Sequence, residues 1–113
     1  MSPITTHVLD VAKGRPAEGV SVVLEYFADE GWDELARGIT NKDGRITDLL
    51  SGTTSLRAGT YRINFATTSY FQKCGVEGFY PNVPVIFEIR DTTQHYHVPL
   101  LLSPFGYSTY RGS

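Results

Sequence analysis

Three histidines, His7, His95 and His97, and a single cysteine, Cys74, are the side chains of this 113-residue chain best suited to proton transfer or nucleophilic attack. An imidazole titrates near pH ~6.5, which suits general acid–base work at neutral pH. A cysteine nucleophile needs a base beside it; none is identifiable around Cys74, which reads as a small residue close to a turn. His95-x-His97 places two imidazoles on one strand face, a spacing some zinc sites use. No cluster of Cys, Asp or Glu supplies a third ligand, so neither a metal nor another cofactor is expected. Arg45 directly follows Asp43-Gly44 and reads, from the residues alone, as a solvated arginine beside a turn. Arg57, Arg62 and Arg90 read the same way. There is no Gly-x-Gly-x-x-Gly, no Walker-type lysine loop and no Gly-x-Ser-x-Gly elbow.

The elements that must position these groups are strands. Short β-branched and aromatic runs alternate with Gly, Pro, Asn and Asp turns at the spacing of a sandwich. Ile4 to Asp10 predicts a first strand, broken by Lys13-Gly14-Arg15-Pro16. Gly19 to Ala28 predicts a second, with Val20, Val22 and Leu24 on one face. Trp32 to Ile39 follows. Asn41-Lys42-Asp43-Gly44 predicts a tight hairpin turn, because Asp-Gly tolerates positive φ, and Arg45 to Leu49 a short strand after it. Residues 52 to 59 read as a loop. Thr60 to Ala66 alternates cleanly, with Tyr61, Ile63 and Phe65 on one face.

Thr67 to Cys74 is the one expected helix, capped by Thr67, Thr68 or Ser69, with Tyr70 and Phe71 inward and Gly75 as its stop. Val85, Phe87 and Ile89 mark the next strand, His95 to Leu102 another, and Tyr107 to Arg111 a short last one. The sum is an all-β, two-sheet sandwich of about eight strands with one short helix, in a single domain over residues 1–113.

Strand parity then locates the histidines. Side chains alternate across a strand, so Tyr96, Val98, Leu100 and Leu102 share one uniformly apolar face, which is the core. His95, His97, Pro99 and Leu101 share the other. His97 therefore points outward, to solvent or to another subunit. Thr5, His7 and Leu9 likewise lie opposite Ile4, Thr6 and Val8.

Composition excludes several classes. Ten basic residues without a run, against twelve acidic ones, leave a net charge of −2. Nucleic acid and anionic membranes need clustered Lys and Arg, so neither is an expected partner. One cysteine permits no intrachain disulfide. No apolar run approaches the ~20 residues that span a bilayer. The N-terminus has no signal-peptide pattern and the C-terminus no Ser-Lys-Leu, so a cytoplasmic protein is expected.

Several motifs taken together resemble the transthyretin family, from Thr5 to Ser113. Thr6-His7-Val8-Leu9-Asp10 with Lys13-Gly14-Arg15-Pro16-Ala17 resembles its first strand and turn, and Thr40-Asn41-Lys42-Asp43-Gly44-Arg45 its central hairpin. His95-Tyr96-His97-Val98-Pro99-Leu100-Leu101-Leu102-Ser103-Pro104 resembles its penultimate strand, and Tyr107-Ser108-Thr109-Tyr110-Arg111-Gly112-Ser113 its end. The two turns also occur in other prealbumin-like binding modules and report the fold only. His7, Arg45, His97 and the terminal Tyr-Arg-Gly-Ser mark the enzyme branch of the family.

What the resemblance implies is a transthyretin/prealbumin-like sandwich that assembles as a homotetramer, a dimer of dimers with active sites across the dimer–dimer interface. The implied reaction is hydrolysis of 5-hydroxyisourate, the product of urate oxidation, to 2-oxo-4-hydroxy-4-carboxy-5-ureidoimidazoline. His7 and His97 would activate water and move protons. Arg45 and Arg111 would bind the electron-rich substrate and stabilise an oxyanion. Tyr110 would fix the substrate, and Ser113 with its carboxylate would orient a histidine or the water. A tail beside the outward face of His97 would wall the site. The alternatives are a transthyretin-type small-ligand carrier without activity, which would lack these residues, and a structural or adhesive module, which would show repeats or flanking domains.

Overall fold

A computed structural model describes residues 2–51 and 54–113. The expected loop at 52 to 59 therefore lies partly outside the described residues. Among them, eight strands and one helix run in the order β1 (Ile4–Asp10), β2 (Arg15–Pro16), β3 (Ser21–Ala28), β4 (Gly31–Ile39), β5 (Gly59–Ala66), α1 (Thr67–Cys74), β6 (Val83–Ile89), β7 (Tyr96–Ser103) and β8 (Gly106–Thr109). They form two four-stranded sheets, ordered β2-β1-β7-β8 and β4-β3-β5-β6. Ile4, Val8, Leu100 and Leu102 from the first sheet meet Val22, Leu24, Ile63 and Phe65 from the second, and all are buried. Each such side chain, fully removed from water, contributes about 1.5–3 kcal/mol.

Parity holds at both histidine strands. β1 alternates buried and half-buried residues along its whole length. In β7, Tyr96, Val98, Leu100 and Leu102 are buried, while His97 and Leu101 are partly exposed on the outer face; Pro99, expected on that outer face too, is buried. β1 and β7 are parallel, a pairing that strand patterns alone do not reveal. Its register sets Thr5 beside His97 and His7 beside Pro99. The two catalytic-type imidazoles are thus diagonal neighbours on one sheet face.

Two expected elements differ. Arg45 to Leu49 is not a strand: Arg45 makes only an isolated antiparallel bridge to His7. The turn before it docks across β1, where the Gly44 carbonyl accepts the Val8 amide at 2.8 Å. The chain therefore crosses to the other sheet instead of returning along β4. Arg15–Pro16, expected as a break, instead pairs with Leu9 and Asp10.

The helix has the expected span, but no side chain caps it; Ala66 holds the N-cap position. The hydroxyls of Thr67 and Thr68 donate instead to the carbonyls of Tyr80 and Pro81, which tie the helix to the following loop. Gly75 ends the helix at φ 71°, and Tyr70 and Phe71 are buried, both as expected.

The last strand is shorter than expected, and Pro99 is the reason. β8 pairs Thr109 with Leu100, and in the same register Gly112 meets His97. Between them the ladder reaches Pro99, which has no N–H to donate. Its carbonyl accepts the Thr109 hydroxyl at 2.7 Å instead. The tail leaves the ladder at Tyr110 and rejoins it at Gly112.

Candidate active site

Local hydrogen bonding explains how Arg45 reaches the histidine strands. Asn41 accepts the amides of Asp43 and Arg45 on its side-chain oxygen at 2.9 and 3.1 Å, an Asx-type turn. Gly44 closes it at φ 75°. A Cβ at Gly44 would run into the Val8 carbonyl and sit 3.2 Å from the His7 ring. Only glycine lets the turn lie this close to β1. Thr40, buried just before it, accepts the Val20 amide and donates to the Ala17 carbonyl, which anchors the turn from below.

The result is an open recess of about 400 Å³ on the outer face of the β1–β7 sheet, lined by Thr5, Arg45, Thr47, His95, His97 and Ser113, with Thr6 and Ile46. His7 is not among the lining residues: its ring lies beside Gly44 and its backbone bridges Arg45, which does line the recess. Residues far apart in sequence, Arg45, His97 and the terminal Ser113, meet here. Thr5 joins them: its hydroxyl lies 2.8 Å from His97 Nδ1 and 3.1 Å from His95 Nε2. Sequence reasoning missed the roles of Thr5 and Thr47. Thr5 shares the outward parity of His7, but its place depends on the parallel register of β1 with β7.

Both imidazoles are held below the ordinary histidine pKa. For His7 the main cause is burial, followed by the Arg45 cation, with the backbone and side chain of Asp43 acting the other way. For His97 it is again burial first, then Arg45, His7 and His95, opposed by a hydrogen bond to the Thr5 backbone. A neutral imidazole carries a proton on one ring nitrogen and a lone pair on the other. Neutral imidazoles with a free nitrogen beside a guanidinium can take a proton from water and stabilise a developing anion. Among the described residues, no three His, Cys, Asp or Glu side chains converge as a metal site.

Arg111 and Tyr110 do not join this recess within the chain. Register pairs Gly112 with His97 on the outer face, so Arg111, one residue earlier, faces the opposite way. Its guanidinium stacks 4.5 Å from the Tyr96 ring centroid and donates to Gln94 Oε1 at 2.7 Å. Tyr110 is exposed, and both residues line a smaller cleft beside β6.

These features define a transthyretin-like β-sandwich with an imidazole- and guanidinium-lined face open to solvent. The chain belongs to the HIUase/Transthyretin family, which it matches over residues 4–112. It is 48% identical over 114 residues to the mouse 5-hydroxyisourate hydrolase, covering 99% of this chain and 96% of that one. The solved structure of Klebsiella pneumoniae 5-hydroxyisourate hydrolase superposes with a TM-score of 0.85 at 37% identity, covering 97% and 98% of the two chains. Sea bream transthyretin in complex with thyroxine superposes with a TM-score of 0.90 at 35% identity, covering 97% and 94%. An enzyme and a hormone-binding protein therefore share this backbone, and the side chains of the recess must separate the two.

Proposed function

We propose that the protein is a hydrolase that opens the ring of 5-hydroxyisourate at a cyclic amide bond, a step of urate degradation. The observation that carries this reading is the convergence of His97, Arg45 and Ser113 on one open recess. Near-half identity to a 5-hydroxyisourate hydrolase along nearly the whole chain supports it. Amide hydrolysis needs a deprotonated water, a polarised carbonyl and a protonated leaving nitrogen. One of His7 and His97 takes the water proton, and the imidazolium so formed supplies the leaving nitrogen. Arg45 offers forked donors to the carbonyl oxygen as it becomes an oxyanion. Ser113, which lines the recess, orients the water or a histidine.

Tyr110 and Arg111 are assigned to substrate binding by the family resemblance. Arg111 would have to leave Gln94 and Tyr96, or face a site completed by a neighbouring protomer. A homotetramer, a dimer of dimers with sites at the dimer–dimer interface, is proposed with it. The outward histidine face and the exposed Ile86 and Phe105 favour such burial. Sedimentation should then give four times the chain mass of 12.6 kDa. A cytoplasmic location completes the proposal and is tested by cell fractionation.

The activity is tested by adding protein at one-hundredth of the concentration of fresh 5-hydroxyisourate. An enzyme consumes all of it, at a rate proportional to protein. A carrier protects or removes at most a stoichiometric amount.

A further inference from the structure

A second recess, bordered by Lys42 of the Asn41–Gly44 turn and sharing no lining residue with the first, has a composition the hydrolytic reading does not use. It has a volume of about 400 Å³ and is lined by Lys13, Arg15, Lys42 and Lys73, with Cys74 and the single acid Glu18. These are four of the ten basic residues of a chain whose net charge is −2. They arrive from three separate segments: the loop entering β2, the Asn41–Gly44 turn and the end of α1.

Two of the exposed ammonium groups lie against other parts of the chain. Lys13 Nζ donates to Cys74 Sγ at 3.0 Å and lies 5.9 Å from the Tyr70 ring centroid. Lys73 Nζ reaches back over the Ala17–Gly19 turn, 3.9 Å from where a Gly19 Cβ would stand. Among the described residues the ion pairs are Arg37 with Glu34 and Arg62 with Glu25, and none of the four cations of the recess takes part. The nearest buried carboxylate, Asp10, is already committed. It accepts the Tyr70 hydroxyl at 2.6 Å and the Lys13 amide at 3.0 Å.

Four like charges around one hollow repel one another, and one glutamate leaves the surplus positive. An anion bearing two or more charges relieves that repulsion. Lysine point charges and a forked guanidinium are the donors that oxyanions recruit. We propose that this recess is a second, non-catalytic site that binds a small oxyanion of two or more negative charges, a phosphate or a polycarboxylate. It is independent of the substrate site and is tested without substrate.

The test uses the full chain with pyrophosphate or citrate, against sodium chloride at matched ionic strength. Alkylation of Cys74 by iodoacetamide, which is uncharged, is followed by intact mass, and binding is measured by calorimetry. Cys74 is the only cysteine, so the mass signal is unambiguous. The expected result is saturable protection and a calorimetric isotherm, with binding about tenfold weaker in Lys42→Gln and in Lys73→Gln, both variants keeping a native circular dichroism spectrum. Protection by pyrophosphate alone identifies a phosphate site, and by citrate alone a carboxylate site. Protection no better than that of chloride, with no isotherm, overturns the proposal, as does unweakened binding in both variants.

Discussion

The Gly112 amide donates to the His97 carbonyl at 2.8 Å, and a Cβ on Gly112 would meet the His97 imidazole at 2.5 Å. The tail is therefore docked on the histidine strand by its backbone, and the absence of a side chain leaves the ring its place. Gly112→Ala must push the imidazole aside. Turnover should fall by about 10- to 100-fold, since a 1 Å displacement of a catalytic group can cost that much. The thermal midpoint should hardly move, and comparing it with kcat separates misplacement from unfolding.

Removing residues 110–113 should abolish activity far more than stability. The tail contributes no core residue, because Tyr110 and Arg111 are exposed and Gly112 is only partly covered. Thermal denaturation and kcat measured on the same truncated chain check the contrast.

Arg45 lowers the pKa of both His7 and His97. In Arg45→Gln both should titrate higher, as NMR of the ring protons would show, and the acidic limb of kcat/KM should move up with them. Unmoved histidine titrations would place the guanidinium away from the pair.

The depressed histidines also link stability to pH. Their folded values lie below the ordinary 6.5, so the unfolded chain binds more protons between the two. Their contribution is therefore present above about pH 6.5 and is lost as pH falls through the lower folded values. The thermal midpoint should drop as pH falls below about 6.5, and replacing both residues by glutamine should flatten that dependence.

Gly44 holds a left-handed φ against β1. Gly44→Ala should destabilise the fold by about 1–3 kcal/mol, read from chemical denaturation, and should release Arg45 from His7.

Much of this geometry is legible in the residues alone. The apolar side of Tyr96 to Leu102 fixed the outward direction of His97, and the alternation of Ile4 to Asp10 did the same for His7. Gly75 announced the end of α1. Long-range pairing was not legible, because nothing in either strand's own pattern says that β1 runs parallel to β7, and the position of Thr5 follows from that register alone. Arg45 to Leu49 had a strand's composition, but the docking of Gly44 on Val8 outweighed it. The consequence of Pro99 could have been read: a proline facing the last strand had to interrupt the ladder. The register, kept across that interruption, turns Arg111 away from the His97 face and leaves its assignment to substrate binding on family resemblance.

The most direct test follows the absorbance of freshly prepared 5-hydroxyisourate in buffer, with a trace of native protein, and with the same trace of His97→Asn. Because the compound also hydrolyses unaided, the rates decide. Native protein should accelerate the decay in proportion to its concentration, and His97→Asn should return it close to the buffer rate, a loss of roughly 10²- to 10⁴-fold, while keeping its native spectrum and assembly. Decay no faster with native protein than in buffer, or equally fast with His97→Asn, would contradict the account.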